Sequence, residues 1–312
     1  MTRTSVLAAL CSVLVLGCRA TGGLYREHMK RGRALFDEGR FARAHIAFDR
    51  ARGLEPTSEE AALWSDLSAV AVAANAPELI SNANINELDY AVDYLRGHFP
   101  DKAYLLDTAR GNLLSRAGEA AKAEAAYRQA LAARPGYVPA SFFLAQVLAQ
   151  SGRVTEAEAS LRAACKVDPK YGPAHELLAR LLAGQGSYDE ALATLREVLA
   201  QGATPQLHVV YGEISELAGK TADAQAAYED ALRMNPGDAD ALWQEAQLLL
   251  RERAYDKARP VLARYLQAAQ KSGEPRARIA QARQIVAQLM RRAPPPAMAA
   301  PPAAQAAGAK GR

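Results

Sequence analysis

An all-α chain, built by stacking helical hairpins of constant length, is what this sequence predicts, and three observations carry the prediction. A Gly, an Ala five residues on and a large apolar residue four further recur at a spacing of 33 or 34. The sets are Gly118, Ala123, Tyr127; Gly152, Ala157, Leu161; Gly186, Ala191, Leu195; Gly219, Ala224, Tyr228; and, with Arg253 in the Gly slot, Ala258 and Leu262. Prolines recur in step with them, at Pro135, Pro169 and Pro236. A composition that is 50% hydrophobic but only 6% aromatic suits Ala- and Leu-rich helical repeats. A period of this length marks stacked helix-turn-helix units.

Each position has a physical reason. Gly stands where the first helix of a hairpin ends and reverses, because a left-handed residue there carries no Cβ penalty. Ala stands where the second helix crosses the first, since a methyl lets two backbones approach. One turn further, Tyr127, Leu161, Leu195, Tyr228 and Leu262 fill the gap to the next unit. Proline then stops the second helix by lacking an N–H and pushing its predecessor out of the α region.

These residues resemble the tetratricopeptide repeat family, whose pattern also places a small residue eight positions in and a hydrophobic one at eleven. Gly111 with Leu114, Ala145 with Leu148, Ala179 with Leu182 and Ala246 with Leu249 match. So does an earlier copy, with Gly32, Leu35, Gly39, Ala44, Phe48, Ala51 and Pro56. The resemblance implies a right-handed α-solenoid with units at 25–58, 104–137, 138–171, 172–204, 205–238 and 239–272, an array over 25–272 in all. Ser215, in place of a large residue, and Ala203, in place of a proline, depart from the pattern.

Pro56 and Pro100 lie 44 residues apart, about ten too many for one unit. Thr57 and Glu60 read as a capping box opening a helix through Trp64 toward Ala74. Asn75, Pro77, Asn82, Asn84 and Asn86 interrupt it, and a second helix from about Glu87 to Arg96 ends at Gly97 and Pro100. The segment 59–103 is either a degenerate repeat with a lengthened turn or an insertion carrying a partner-specific loop.

Residues 1–17 read as a signal peptide: Arg3 is the positive region, Val6 to Leu16 the apolar one, and neither is long enough for a permanent membrane span. Val15, Leu16, Gly17 and Cys18 resemble the lipobox of bacterial lipoproteins, which implies that Cys18 becomes the acylated first residue of the mature chain. Three acyl chains at about 0.8 kcal/mol per CH₂ make a permanent anchor. The alternative is an ordinary secretory signal that happens to hold a cysteine. With Cys11 removed and Cys18 acylated, Cys165 is left alone, and it is expected to be a buried, inert thiol. The linker 18–24 is short; Arg19 to Leu24 reach roughly 20 Å when extended. Arg19 is not the Asp that retains lipoproteins at the inner membrane in the lipoprotein resemblance, which points to the periplasmic face of the outer membrane.

At the other end Pro275 opens a helix over about Arg276 to Arg292, within a capping segment 273–292, with Ile279, Ile285, Val286 and Leu289 on one face. Residues 293–312 are almost wholly Ala, Pro and Gly, a composition without the bulk for a core.

The formal net charge of +4 comes from spread Lys and Arg, which argues against nucleic acid. His28, His45, His98, His175 and His208 lie far apart, and no cysteine pair accompanies them to make a metal site. Gly184, Gln185, Gly186 lacks the third glycine and preceding strand of a dinucleotide site. No nucleophile elbow or phosphate loop occurs. No catalytic residue, cofactor or small-molecule substrate is expected, and the function that remains is protein binding.

In the family, a few positions of each first helix line a concave groove. The fifth and ninth correspond here to Thr108 and Asn112, Phe142 and Gln146, Glu176 and Arg180, Val209 and Glu213, and Trp243 and Gln247; Arg116, Gln150 and Arg251 fall at the thirteenth. Phe143, Pro173 and Leu177 replace later residues of the two-lysine carboxylate clamp that some members use. A mixed aromatic and amide groove suits an extended peptide or a helix, with Phe142 and Trp243 expected to be exposed. For each aromatic, ordinary packing is the competing reading. The resemblance thus implies a lipid-anchored scaffold for assembly of an envelope complex. Its sharper versions are a pilotin-like factor for a type IV pilus secretin and an accessory protein of peptidoglycan enzymes.

Overall fold

The computed structural model describes residues 22–75, 85–272 and 275–292, and every element among them is helical. The signal segment, Cys18, the loop residues Pro77, Asn82 and Asn84, and the Ala/Pro-rich tail lie outside the described residues. Helix α1 covers 22–37. It is followed by α2 (Phe41–Leu54), α3 (Glu59–Asn75), α4 (Ile85–His98) and a 3-10 turn at Pro100–Lys102. Then come α5 (Ala103–Arg116), α6 (Ala120–Ala133), α7 (Val138–Gln150), α8 (Val154–Val167) and α9 (Gly172–Gly184). The remainder are α10 (Tyr188–Leu199), α11 (Pro205–Leu217), α12 (Thr221–Met234), α13 (Ala239–Arg251), α14 (Tyr255–Ser272) and α15 (Arg276–Arg292). They form two compact units, Met1–Leu181 and Leu182–Arg312.

The hairpin turns close by one device. The Glu119 amide donates to Leu114 O at 2.9 Å and the Gly118 amide to Ser115 O at 3.1 Å. Gly118 sits at φ 79°. This is the Schellman arrangement, which satisfies the last carbonyls of the helix. The same six-residue bond recurs from Arg40 to Leu35, Arg153 to Leu148, Ser187 to Leu182, Lys220 to Ser215 and Ala254 to Leu249, at 2.8 to 2.9 Å. In the last of these the left-handed position is held by Arg253, at φ 59°, so the geometry survives where its glycine does not.

Within Met1–Leu181, α3 opens one residue later than expected. Ser58, not Thr57, is the cap: its Oγ accepts from the Ala61 amide at 3.2 Å and bonds the Tyr25 hydroxyl at 2.7 Å. Glu60 pairs with Arg33 instead of closing a capping box. Trp64 is the centre of an aromatic cluster, stacked on Phe48 at 5.3 Å and edge-on to Phe36 and Phe99 at 5.5 and 5.1 Å. Helix α3 packs chiefly against α2 and α5 rather than pairing with α4. Helix α4 is fixed on α5 by ion pairs, Arg96 to Asp107 and Asp93 to Arg110.

Unit packing follows a volume rule. A Cβ placed on Gly111 would lie 2.5 Å from the Tyr127 ring, and one on Gly32 2.5 Å from Phe48, so these glycines exist to admit an aromatic. One repeat on, Ala145 and Leu161 stand at the two equivalent positions and are both fully buried. In Leu182–Arg312 the same alternation recurs, with Gly212 against Tyr228 and then Ala246 and Leu262 both fully buried. Helix α15 closes this unit over the span expected of a cap, and Ile279, Ile285, Val286 and Leu289 join its core. Among the described residues no helix is long and apolar enough to cross a membrane.

Candidate partner-binding faces

The expected groove positions separate into three kinds. Thr108, Asn112 and Val209 are buried, which corrects their assignment to an open groove. Thr108 Oγ1 donates to Tyr104 O in its own helix at 2.7 Å. Asn112 donates to Ala74 O of α3 at 3.1 Å and accepts from the Tyr127 hydroxyl at 2.8 Å. Its amide serves the core because α3 packs over this side of α5, and because a buried phenol must find an acceptor.

The aromatic positions are half-buried rather than exposed. Phe142 meets Phe143 at 5.2 Å and Tyr171 at 5.8 Å, edge to face in both cases. Trp243 is more committed: Tyr265 of α14 lies 5.1 Å away and the Arg278 guanidinium of α15 sits 5.9 Å over its ring. Arg278 is itself held by Asp240 at 2.8 Å. The closing helix therefore covers the tryptophan expected to anchor a ligand.

Several charged positions are engaged locally. Arg180 donates to Glu176 at 3.1 Å, one turn away. Glu213 accepts from Gln244 at 2.6 Å. Arg251 pairs with Glu216, whose other interaction is the Tyr228 hydroxyl at 2.7 Å. Arg116 and Gln150 are exposed, and Gln146 is half-buried. Gln247 buries its amide nitrogen without a hydrogen-bond partner among the described residues. The open face that results is that of α7, where Phe142, Gln146 and Gln150 succeed one another by single turns.

A second concavity was not legible in the sequence. The turn after α1, the end of α3, the start of α5 and the end of α6 enclose about 420 Å³. Phe36, Phe41, Tyr104 and Tyr137 line it with Lys102, Arg134 and Asn75. Arg134 stacks 4.6 Å over Tyr104 and 5.9 Å over Tyr137, and Lys102 lies 5.9 Å over Phe36. Tyr137 donates to Asn75 Oδ1 at 3.0 Å. Burial pushes the Tyr137 phenol far above its ordinary range, with that hydrogen bond opposing. The lining comes from four distant stretches of chain, so no local pattern announces it.

Asp107 keeps its carboxyl buried beside Arg96, and burial raises its pKa despite the opposing charges of Arg96 and Arg110. Among the described residues no group of three or more His, Cys, Asp or Glu is placed to hold a metal ion. Cys165 is half-buried rather than buried.

A family model described as a tetratricopeptide repeat-like domain matches residues 134–248, and a second, described as a tetratricopeptide repeat, matches 217–283. The chain contains tetratricopeptide-repeat domains. A tetratricopeptide repeat protein from Parabacteroides merdae is 17% identical, with 86% of this chain and 99% of that one covered and a TM-score of 0.52. Pseudomonas aeruginosa pilF is 23% identical, with 61% and 89% covered and a TM-score of 0.50. Both share the all-α repeat fold. No curated protein sequence matches this chain. Tetratricopeptide repeats suggest a protein-interaction scaffold.

Proposed function

We propose that this protein is a lipid-anchored scaffold that holds an envelope protein during assembly of a larger complex, and that the α7 face of its repeats takes an extended peptide or a helix. The observation that carries the binding face is the run Phe142, Gln146, Gln150: a half-buried aromatic beside two amides that can donate to and accept from a peptide backbone. The lipid anchor rests on the apolar segment before Val15, Leu16, Gly17 and Cys18. Anchoring at the periplasmic face of the outer membrane would put the repeats where envelope machines are built.

Two experiments test this reading. Cells fed an alkynyl fatty acid should label the wild-type chain in the membrane fraction and leave Cys18→Ser unlabelled; equal absence of label in both removes the anchor. A photo-crosslinking amino acid at Gln150 should capture a discrete envelope protein, and Phe142→Ala should reduce that capture about tenfold without lowering helicity. Undiminished capture by Phe142→Ala would place the partner elsewhere.

A further inference from the structure

The first and fifth of the regular repeats present the same cradle with opposite charge. In Leu182–Arg312, His208, Tyr211, Asp223, Ala226, Ala227 and Asp230 enclose about 310 Å³. The wall is completed by Arg196 and Leu199 of α10, the helix that packs on α11 there. Arg196 donates to the Tyr211 hydroxyl at 2.9 Å and stacks 5.5 Å over its ring. In Met1–Leu181, the residues 180 positions earlier line a cavity of about 420 Å³: His28, Arg31, Arg43, Ile46, Ala47 and Arg50. No described helix fills it.

The substitutions are systematic. Asp223 and Asp230 become Arg43 and Arg50, and Tyr211, which receives an arginine, becomes Arg31. Arg40 adds a fourth guanidinium, against Glu38 as the single carboxylate in the lining. Glu38 pairs with Arg40 at 3.2 Å, while Arg31, Arg43 and Arg50 make no ion pair among the described residues. Ile46 is 52% exposed where the internal cradle has Ala226, and Leu35 is half-buried beside it. The face thus combines an apolar floor of Leu35, Ile46 and Ala47 with a rim of arginines.

We propose that this cradle binds an acidic amphipathic helix of another protein, laid on α1 and α2 as α10 is laid on α11. Its apolar stripe would cover Leu35 and Ile46, and its carboxylates would meet Arg31, Arg43 and Arg50, whose planar forks suit bidentate carboxylate pairing. Residues 1–21 and 293–312 contain no Asp or Glu, and α15 carries five arginines and no acid. Like charge therefore opposes both self-capping by these segments and stacking of α15 from a second copy. The inference rests on the scaffold reading but not on the α7 face or the anchor, so each can fail alone.

The test uses the full chain carrying Cys18→Ser and two helix-stapled fluorescent peptides. One has the α10 sequence of residues 187–202; the other is the same with Arg196→Glu. The acidic peptide should bind more tightly, and the double substitution Arg43→Asp with Arg50→Asp should weaken it at least about tenfold while gaining affinity for the arginine peptide. That reversal also shows the variant is folded. Absence of acidic-peptide binding, or binding that ignores the double substitution, overturns the proposal. So does a substitution that lowers binding only to phosphatidylcholine vesicles containing phosphatidylglycerol, which would make the arginines a membrane-facing patch.

Discussion

The hairpin α5–α6 and its successor α7–α8 solve one packing problem in two ways. The first removes a Cβ at Gly111 to admit Tyr127, and the second keeps a methyl at Ala145 and uses Leu161. Volume is nearly conserved, but polarity is not. Tyr127 brings a hydroxyl into the core, and a buried hydroxyl needs a partner, so Asn112 turns inward to accept from it at 2.8 Å. Leu161 makes no such demand, and Gln146, at the position equivalent to Asn112, remains half-exposed. In the other unit Tyr228 donates instead to Glu216 at 2.7 Å, three residues beyond Glu213, the position equivalent to Asn112. Between α5–α6 and α7–α8, the core residue thus decides whether the groove residue turns inward or faces a partner.

The largest effect is expected at Gly111. Gly111→Ala should cost about 3 kcal/mol, because its Cβ would enter the Tyr127 ring and the fully packed ring has no free direction. Chemical denaturation measures it. Ala157 is fully buried at the helix crossing of the α7–α8 hairpin, and Ala157→Leu should cost about 2 kcal/mol by overpacking. An unchanged midpoint there would mean that the crossing is looser than its burial implies.

The hydroxyl of Tyr127 carries a smaller effect. Tyr127→Phe should cost about 1 kcal/mol by removing the hydroxyl that donates to the Asn112 oxygen. Its pH signature is distinctive. Burial raises the Tyr127, Tyr137 and Tyr228 pKa values well above the ordinary 10.0. Stability from these protonated phenols is complete below about pH 10 and is lost as pH rises toward the folded-state values. Thermal melting should therefore decline above that pH, and less steeply in Tyr127→Phe. The smallest effect is a gain: Arg253→Gly should stabilise by about 0.5 kcal/mol, since φ 59° suits glycine and the turn hydrogen bond does not need the arginine side chain.

Sequence periodicity exposed the turns, the crossings and the closing helix because each depends on one residue with a local requirement. Gly118 and its equivalents are readable since left-handed backbone excludes most side chains. Asn112 is not readable from its own helix, because its fate depends on Tyr127, 15 residues on and in another helix. Trp243 is hidden for the same reason, its cover arriving from α15. The aromatic cavity around Tyr104 and Arg134 was invisible because tertiary packing alone gathers it. Ser58 displaced Thr57 as the cap through a bond to Tyr25, 33 residues away.

The exchange between core volume and groove polarity is tested most directly by a double-mutant cycle on Gly111→Ala and Tyr127→Leu, which imports the Ala and Leu pair of α7–α8 into α5–α6. The account predicts that the double variant regains part of the stability lost by Gly111→Ala, with a coupling of about 2 kcal/mol in urea denaturation. Additivity of the two single effects within about 0.5 kcal/mol would contradict it, because the glycine and the tyrosine would then be independent choices.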